Sequence, residues 1–229
     1  MKISQLFAKL VAGSALLGTL LLGTARADTS VQVKEIGLGK GMATGSLTLP
    51  LGTANWWSGF QTIQVQEGAA TSSFLAFCLD PFQYSSATAS PYTKTTLNSF
   101  FSAATIDRIS DLFNYGNTYA TALTSNTTAG ALQLALWEVA NDNGVLGTGS
   151  VRTNSGTNAT LVGATQSLLT NSLGYNGPSN YTFTFYKSGN QQDFIVATPV
   201  PEPGTYGMML VGVGLIGTIA ARRRKNKGD

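Results

Sequence analysis

The chain has 229 residues, a formal charge of +3, a single cysteine and no histidine. The missing histidine excludes Ser-His-Asp and Cys-His catalysis and His-ligated zinc, and the single cysteine excludes internal disulfides and thiolate metal clusters, so no metal or other cofactor is expected. The positive charge belongs to the ends: residues 28–199 hold six Lys and Arg against nine Asp and Glu, a balance of −3, which gives no basis for nucleic-acid binding.

In chain order, Lys2 and Lys9, the apolar run 10–22 and the small-x-small triplet Ala25-Arg26-Ala27 compose a secretory signal peptide, residues 1–27. From 29 to 79 the apolar positions alternate at Val31 and Val33, then at 46–49, 62–66 and 74–79, a β-meander pattern with turns at glycines 37, 39, 41, 45, 52, 59 and 68. From about 97 to 171 the period becomes helical. Ile106, Ile109, Leu112 and Phe113 share one face, with Thr105 as N-cap and Gly116 beyond the end. A second helix, capped by Asn126-Thr127-Thr128, runs through Leu132, Gln133, Leu136, Trp137 and Ala140 to Asn143-Gly144, and a weaker third pattern covers 159–170. Alternation returns at 181–186 and 194–196. The expected fold is α+β: one domain over 28–199, mainly antiparallel β as a sandwich or barrel, with a helical subdomain inserted at about 97–171.

The end of the chain, 200–229, has three parts: Pro201-Glu202-Pro203, a glycine-rich apolar stretch at 206–221 and the cluster Arg222, Arg223, Arg224 and Lys225. The apolar stretch is a little short of the ~20 residues that span a bilayer without strain, and basic residues directly after it stay cytoplasmic. These features resemble the PEP-CTERM sorting tail of Gram-negative bacteria. The resemblance implies export, a transient anchor in the inner membrane through a transmembrane helix, processing by an exosortase-type enzyme, and a final place at the cell surface or in the extracellular matrix.

Cys78, in Phe77-Cys78-Leu79-Asp80-Pro81, is thus a thiol without a disulfide partner in an oxidising compartment. A cysteine sulfur can be acylated by a glutamine of the same chain, expelling ammonia and leaving a thioester, provided the glutamine sits on a rigid element in apolar surroundings. Gln133 meets that requirement within Leu132-Gln133-Leu134-Ala135-Leu136-Trp137, with Trp137 one turn on. Either residue also has a plainer reading, the cysteine as a small buried hydrophobe and the glutamine as a side chain bonded to backbone.

The aromatic-Cys segment, together with the downstream apolar-Gln-x-x-apolar-Trp helix, resembles the thioester domain of bacterial surface adhesins. That resemblance implies an internal Cys78–Gln133 thioester, with Phe77 and Trp137 in support, that captures a surface amine or hydroxyl of a cell-surface or matrix ligand. Such a protein reacts once and is not a turnover enzyme. The alternative is a non-covalent structural protein binding polysaccharide or biofilm matrix.

Other features are weaker. Asp80, Asp107, Asp111, Glu138 and Asp142 supply carboxylates for glycoside hydrolysis, but their spacing is equally that of helix caps and solvated faces. Trp56, Trp57 and Phe60 offer a sugar-stacking platform or a core and rim. Asn126 and Asn158 begin Asn-x-Thr triplets and are read as cap and loop residues.

Overall fold

Antiparallel pairing of the first strand with both the fourth and the sixth closes the main sheet into a barrel. The structure, a computed structural model, describes residues 28–200 and the isolated positions 211 and 216. The signal segment, the residues Pro201, Glu202, Pro203, Arg222, Arg223 and Arg224, and the expected membrane helix at 206–221, but for those two positions, lie outside the described residues. Among the described residues no helix is long and apolar enough to cross a membrane.

The strands are β1 (Thr29–Ala43), β2 (Gly45–Leu49), β3 (Gly52–Ala54), β4 (Trp57–Glu67), β5 (Ala70–Cys78), β6 (Ser90–Thr95), β7 (Arg152–Thr157), β8 (Tyr181–Lys187) and β9 (Phe194–Pro199). The α-helices are α1 (Ala103–Asn114), α2 (Thr118–Ala122), α3 (Asn126–Asn141) and α4 (Ala159–Asn171). Six strands close the barrel in the order β1-β4-β5-β9-β8-β6, all antiparallel, and β3-β2-β7 form a second small sheet. The chain is therefore mainly antiparallel β with helices between the sixth and eighth strands.

Two apolar clusters follow from the period of two. Val31, Val33, Ile63, Val65, Ala76, Cys78, Tyr92, Tyr186, Phe194 and Val196 come from all six strands and fill the barrel. Their alternates Phe60, Phe77, Phe185 and Ile195 face outward and pack under Ile109, Leu112, Phe113, Leu132 and Leu136 of the helices. Phe77 lies between the Phe60 ring, 4.2 Å away centroid to centroid, and the Phe113 ring at 5.8 Å.

Several local expectations change. Gly37, Gly39 and Gly41 lie inside β1, and Gly59 inside β4. The β1–β4 pair carries register shifts between Glu35 and Gly37 and between Leu38 and Gly41, and the strands approach so closely that a Cβ on Gly41 would stand 2.5 Å from the Ser58 carbonyl oxygen. The caps shift toward the N-terminus: Ser102 caps α1 by accepting from the Thr105 N–H, and Ser125 caps α3 by accepting from the Thr128 N–H. A serine hydroxyl reaches the N3 amide as well as the expected Thr or Asn would. Asn158 caps α4, accepting from the Thr160 and Leu161 N–H groups.

Truncating the most enclosed wedge between barrel and helices tests this packing. Phe77→Ala removes a ring that is 1% exposed and is expected to cost about 3 to 5 kcal/mol of unfolding free energy in a denaturant titration.

Candidate functional site

The β4–β5 ladder runs from Glu67 opposite Ala70 to Gln61 opposite Ala76 and stops there. Two residues further on, the register would set Gly59 against Cys78, leaving that edge of Cys78 to be satisfied by something else. On its other side β5 continues with β9, Cys78 opposite Phe194. Helix α3 enters the gap. Ser58 Oγ donates to the Gly130 carbonyl at 2.8 Å, and Gly130 permits the approach because a Cβ there would stand 2.9 Å from Met42 Cγ.

This docking carries Gln133 to the open edge. The Cys78 N–H donates to Gln133 Oε1 at 2.9 Å, and Gln133 Nε2 donates to the Cys78 carbonyl at 2.7 Å. The carboxamide thus takes the place that a strand residue would hold, and its own burial, at 1% exposure, is paired on both sides. Two turns along the same face, Asn141 Nδ2 donates to the Leu79 carbonyl. Gln133, Trp137 and Asn141, spaced four apart, are the stripe of α3 that meets the end of β5. Trp137 is buried in the same cluster as Cys78, and its Nε1 has no hydrogen-bond partner. Phe77 faces the opposite way and anchors the strand to the helices.

The Cys78 thiol is free and buried. Burial pushes its pKa well above the usual thiol range, and the negative charges of Glu35, Asp80 and Asp193 push it the same way. A neutral, enclosed thiol is a poor target for oxidants, which accounts for an unpaired cysteine in an exported chain.

Of the five candidate acidic residues, three are engaged in local bonds. Asp80 accepts from the Phe82 N–H and from Gln83, Asp111 pairs with Arg108, and Asp142 accepts from the Val151 N–H. Among the described residues no three His, Cys, Asp or Glu side chains gather as a metal site. Glu138, on α3, is fully buried, and its pKa rises to about 8 through burial first and the nearby Asp142 charge second, offset in part by the Val145 backbone.

The expected platform of Trp56, Trp57 and Phe60 is divided. Phe60 turns into the helix-facing core, where the strand alternation sends it, while Trp56 and Trp57 line a cleft of about 180 Å³ together with Trp137, Tyr84 and Gln61. Tyr84 and Gln61 carried no periodic signal, Tyr84 because it stands in a loop. Asn141 was legible in principle from the four-residue spacing.

Residues 199–225 match the family described as the PEP-CTERM protein-sorting motif. The motif implies export, sorting to the cell surface and processing by an exosortase-type enzyme. No curated protein matches the chain. Among solved structures, the chain is similar to the N-terminal thioester domain of a surface protein from Clostridium perfringens, at 12% identity and a TM-score of 0.46, over 75% of this chain and 100% of that one. It is also similar to the N-terminal domain of the Streptococcus pyogenes pilus tip adhesin Cpa, at 13% identity and a TM-score of 0.40, over 63% of this chain and 86% of that one. At these values the likeness is one of general arrangement, and the reading of Cys78 and Gln133 rests on their own geometry.

Two outcomes follow from that geometry. Gln133→Ala strands the Cys78 N–H and carbonyl in an apolar setting and should cost about 2 to 6 kcal/mol in chemical denaturation, at about 1 to 3 kcal/mol for each orphaned group. Glu138 holds its proton in the folded state up to about pH 8, while the unfolded chain releases it near 4.5. The folded state therefore binds more protons between those values, so this residue makes stability fall as pH rises through that window and level off above it. Thermal melts of Glu138→Gln across the same range should show a shallower decline than the parent chain.

Proposed function

We propose that Cys78 and Gln133 form an internal thioester, and that the exported protein uses it to attach covalently to a nucleophile at the cell surface or in the matrix. The paired hydrogen bonds between the Gln133 carboxamide and the Cys78 backbone carry this reading, because they hold the acyl group at the cysteine residue itself. The Cys78 sulfur attacks Gln133 Cδ, the C–N bond breaks, and the thiol proton leaves on nitrogen as ammonia. The Cys78 N–H, already bonded to Oε1 at 2.9 Å, stabilises the negative charge that develops on that oxygen. Burial excludes the water that would hydrolyse the product.

Capture reverses the roles. An incoming amine or hydroxyl attacks the same carbon, the C–S bond breaks, and its proton passes to sulfur to regenerate the thiol. A thiol of raised pKa is a slow leaving group, so the bond resists attack until a nucleophile is held against it. One acyl transfer uses up Gln133, which makes the protein a single-use linker rather than a turnover enzyme. The sorting tail supplies delivery; removal of the tail by its processing enzyme would leave the domain at the surface, where such a linker acts.

Intact-mass measurement of the purified chain tests the bond. The expected mass is lower than the sequence mass by one ammonia, with the loss mapped to a Cys78–Gln133 cross-link and absent in Cys78→Ala. Methylamine should then add at Gln133. Full sequence mass, with Cys78 freely alkylated after denaturation, would sink the proposal.

A further inference from the structure

The cleft beside this pair has a chemistry of its own. Trp56, Trp57, Trp137 and Tyr84 give it aromatic walls, and Gln61 and Glu35 add polar groups. It lies against the site: Trp137 is one turn from Gln133 and packs in the cluster of Cys78, and Gln61 is the last β4 residue paired with β5 before Cys78. Three polar atoms of its lining side chains lack any partner, namely the indole Nε1 of Trp57, the indole Nε1 of Trp137 and Oε1 of Gln61. Trp137 is 3% exposed and Gln61 9% exposed, so bulk water does not readily serve them.

The unmet atoms discriminate between bound occupants. An indole N–H only donates, and an ammonium group also only donates, so a cationic amine in the cleft would leave both indoles unsatisfied. A hydroxyl both donates and accepts. It can receive a bond from an indole and give one to Gln61 Oε1, or to the Glu35 carboxylate, which takes the Ser85 hydroxyl on one oxygen. Flat apolar ring faces beside side-chain amides and a carboxylate suit a sugar ring, with C–H faces to stack and hydroxyls at its edge.

We propose that this cleft binds a neutral saccharide and presents one of its hydroxyls to the Cys78–Gln133 bond. The covalent half rests on the thioester reading above; the binding half does not. In the covalent step the sugar oxygen attacks Gln133 Cδ, the C–S bond breaks, the hydroxyl proton ends on the Cys78 sulfur, and an ester joins the saccharide to the protein. The alternative occupant is a primary amine, which would leave an amide instead.

Titrating Cys78→Ala with cellohexaose, maltohexaose and methylamine, followed by tryptophan fluorescence, separates binding from chemistry, since this variant cannot form a thioester. A saturable response to at least one hexasaccharide and none to methylamine is expected. Tyr84 is 62% exposed, so Tyr84→Ala should fold normally and weaken saccharide binding about tenfold, and Trp57→Phe, which removes one indole donor, should weaken it by a similar factor. In the parent chain the adduct should equal the ammonia-depleted mass plus one saccharide and be released by alkaline hydroxylamine, which cleaves oxygen esters and spares amides. No saturable response to either hexasaccharide overturns the cleft assignment whatever the mass of the parent chain. Saccharide binding with a methylamine adduct but no sugar ester overturns the hydroxyl as nucleophile. A parent chain at full mass removes the thioester alone, and the Cys78→Ala titration still decides the cleft.

Discussion

A backbone edge inside an apolar core has to be paired, and in this protein the pairing of one residue, Cys78, falls to a side chain. Where β4 parts from β5, the N–H and carbonyl of Cys78 would otherwise sit dry and unmatched, a cost large against the few kcal/mol by which domains are stable. Gln133 meets both groups at 2.9 and 2.7 Å. The position of α3, the small residue at Gly130 that lets it come close, and the burial of Trp137 all serve that contact. Structure and proposed chemistry thus draw on the same two hydrogen bonds. The plainer reading of Gln133, a glutamine bonded to backbone, holds as a description; what gives it chemical meaning is that the backbone belongs to the cysteine.

Strand alternation then divides the work of three successive residues. Phe77 and Leu79 point to the helices and Cys78 into the barrel. The sulfur therefore belongs to the barrel cluster that includes Phe194, Tyr92 and Trp137, while the carboxamide arrives from the strand edge. The surrounding carboxylates of Glu35, Asp80 and Asp193 all act to keep the thiol neutral. Two of them are held by local bonds, Asp193 by Lys187 at 2.7 Å and Asp80 by the Phe82 N–H at 2.7 Å, so their disposition is fixed by the fold.

Much of this was legible in the sequence, for identifiable reasons. The strands with period-two alternation and the three longer helices stand where the pattern predicts them, because burial on one face dictates the spacing. What escaped has equally physical causes. β6 contains Pro91, which weakens a strand signal, and β3 and β7 are short and polar, held by pairing with β2 rather than by any apolar pattern. Gly39, Gly41 and Gly59 suggested turns where they instead let bulged strands touch, while Gly52 and Gly68 do sit at turns. The order and residue types of Cys78 and Gln133 were readable. The hydrogen bonds that join them depend on where β4 stops, and the cleft depends on a loop tyrosine, neither of which has a signature in one dimension.

Cys78 and Gln133 are 55 residues apart in the chain, on elements that meet only after the barrel and α3 have docked. An unfolded chain in transit across the membrane therefore carries an ordinary thiol and an ordinary amide, with nothing to poison the export machinery. In the proposed chemistry the acyl group would become activated only as a property of the finished fold. Timing of that kind needs no protective partner, because delivery and arming are separated by folding itself.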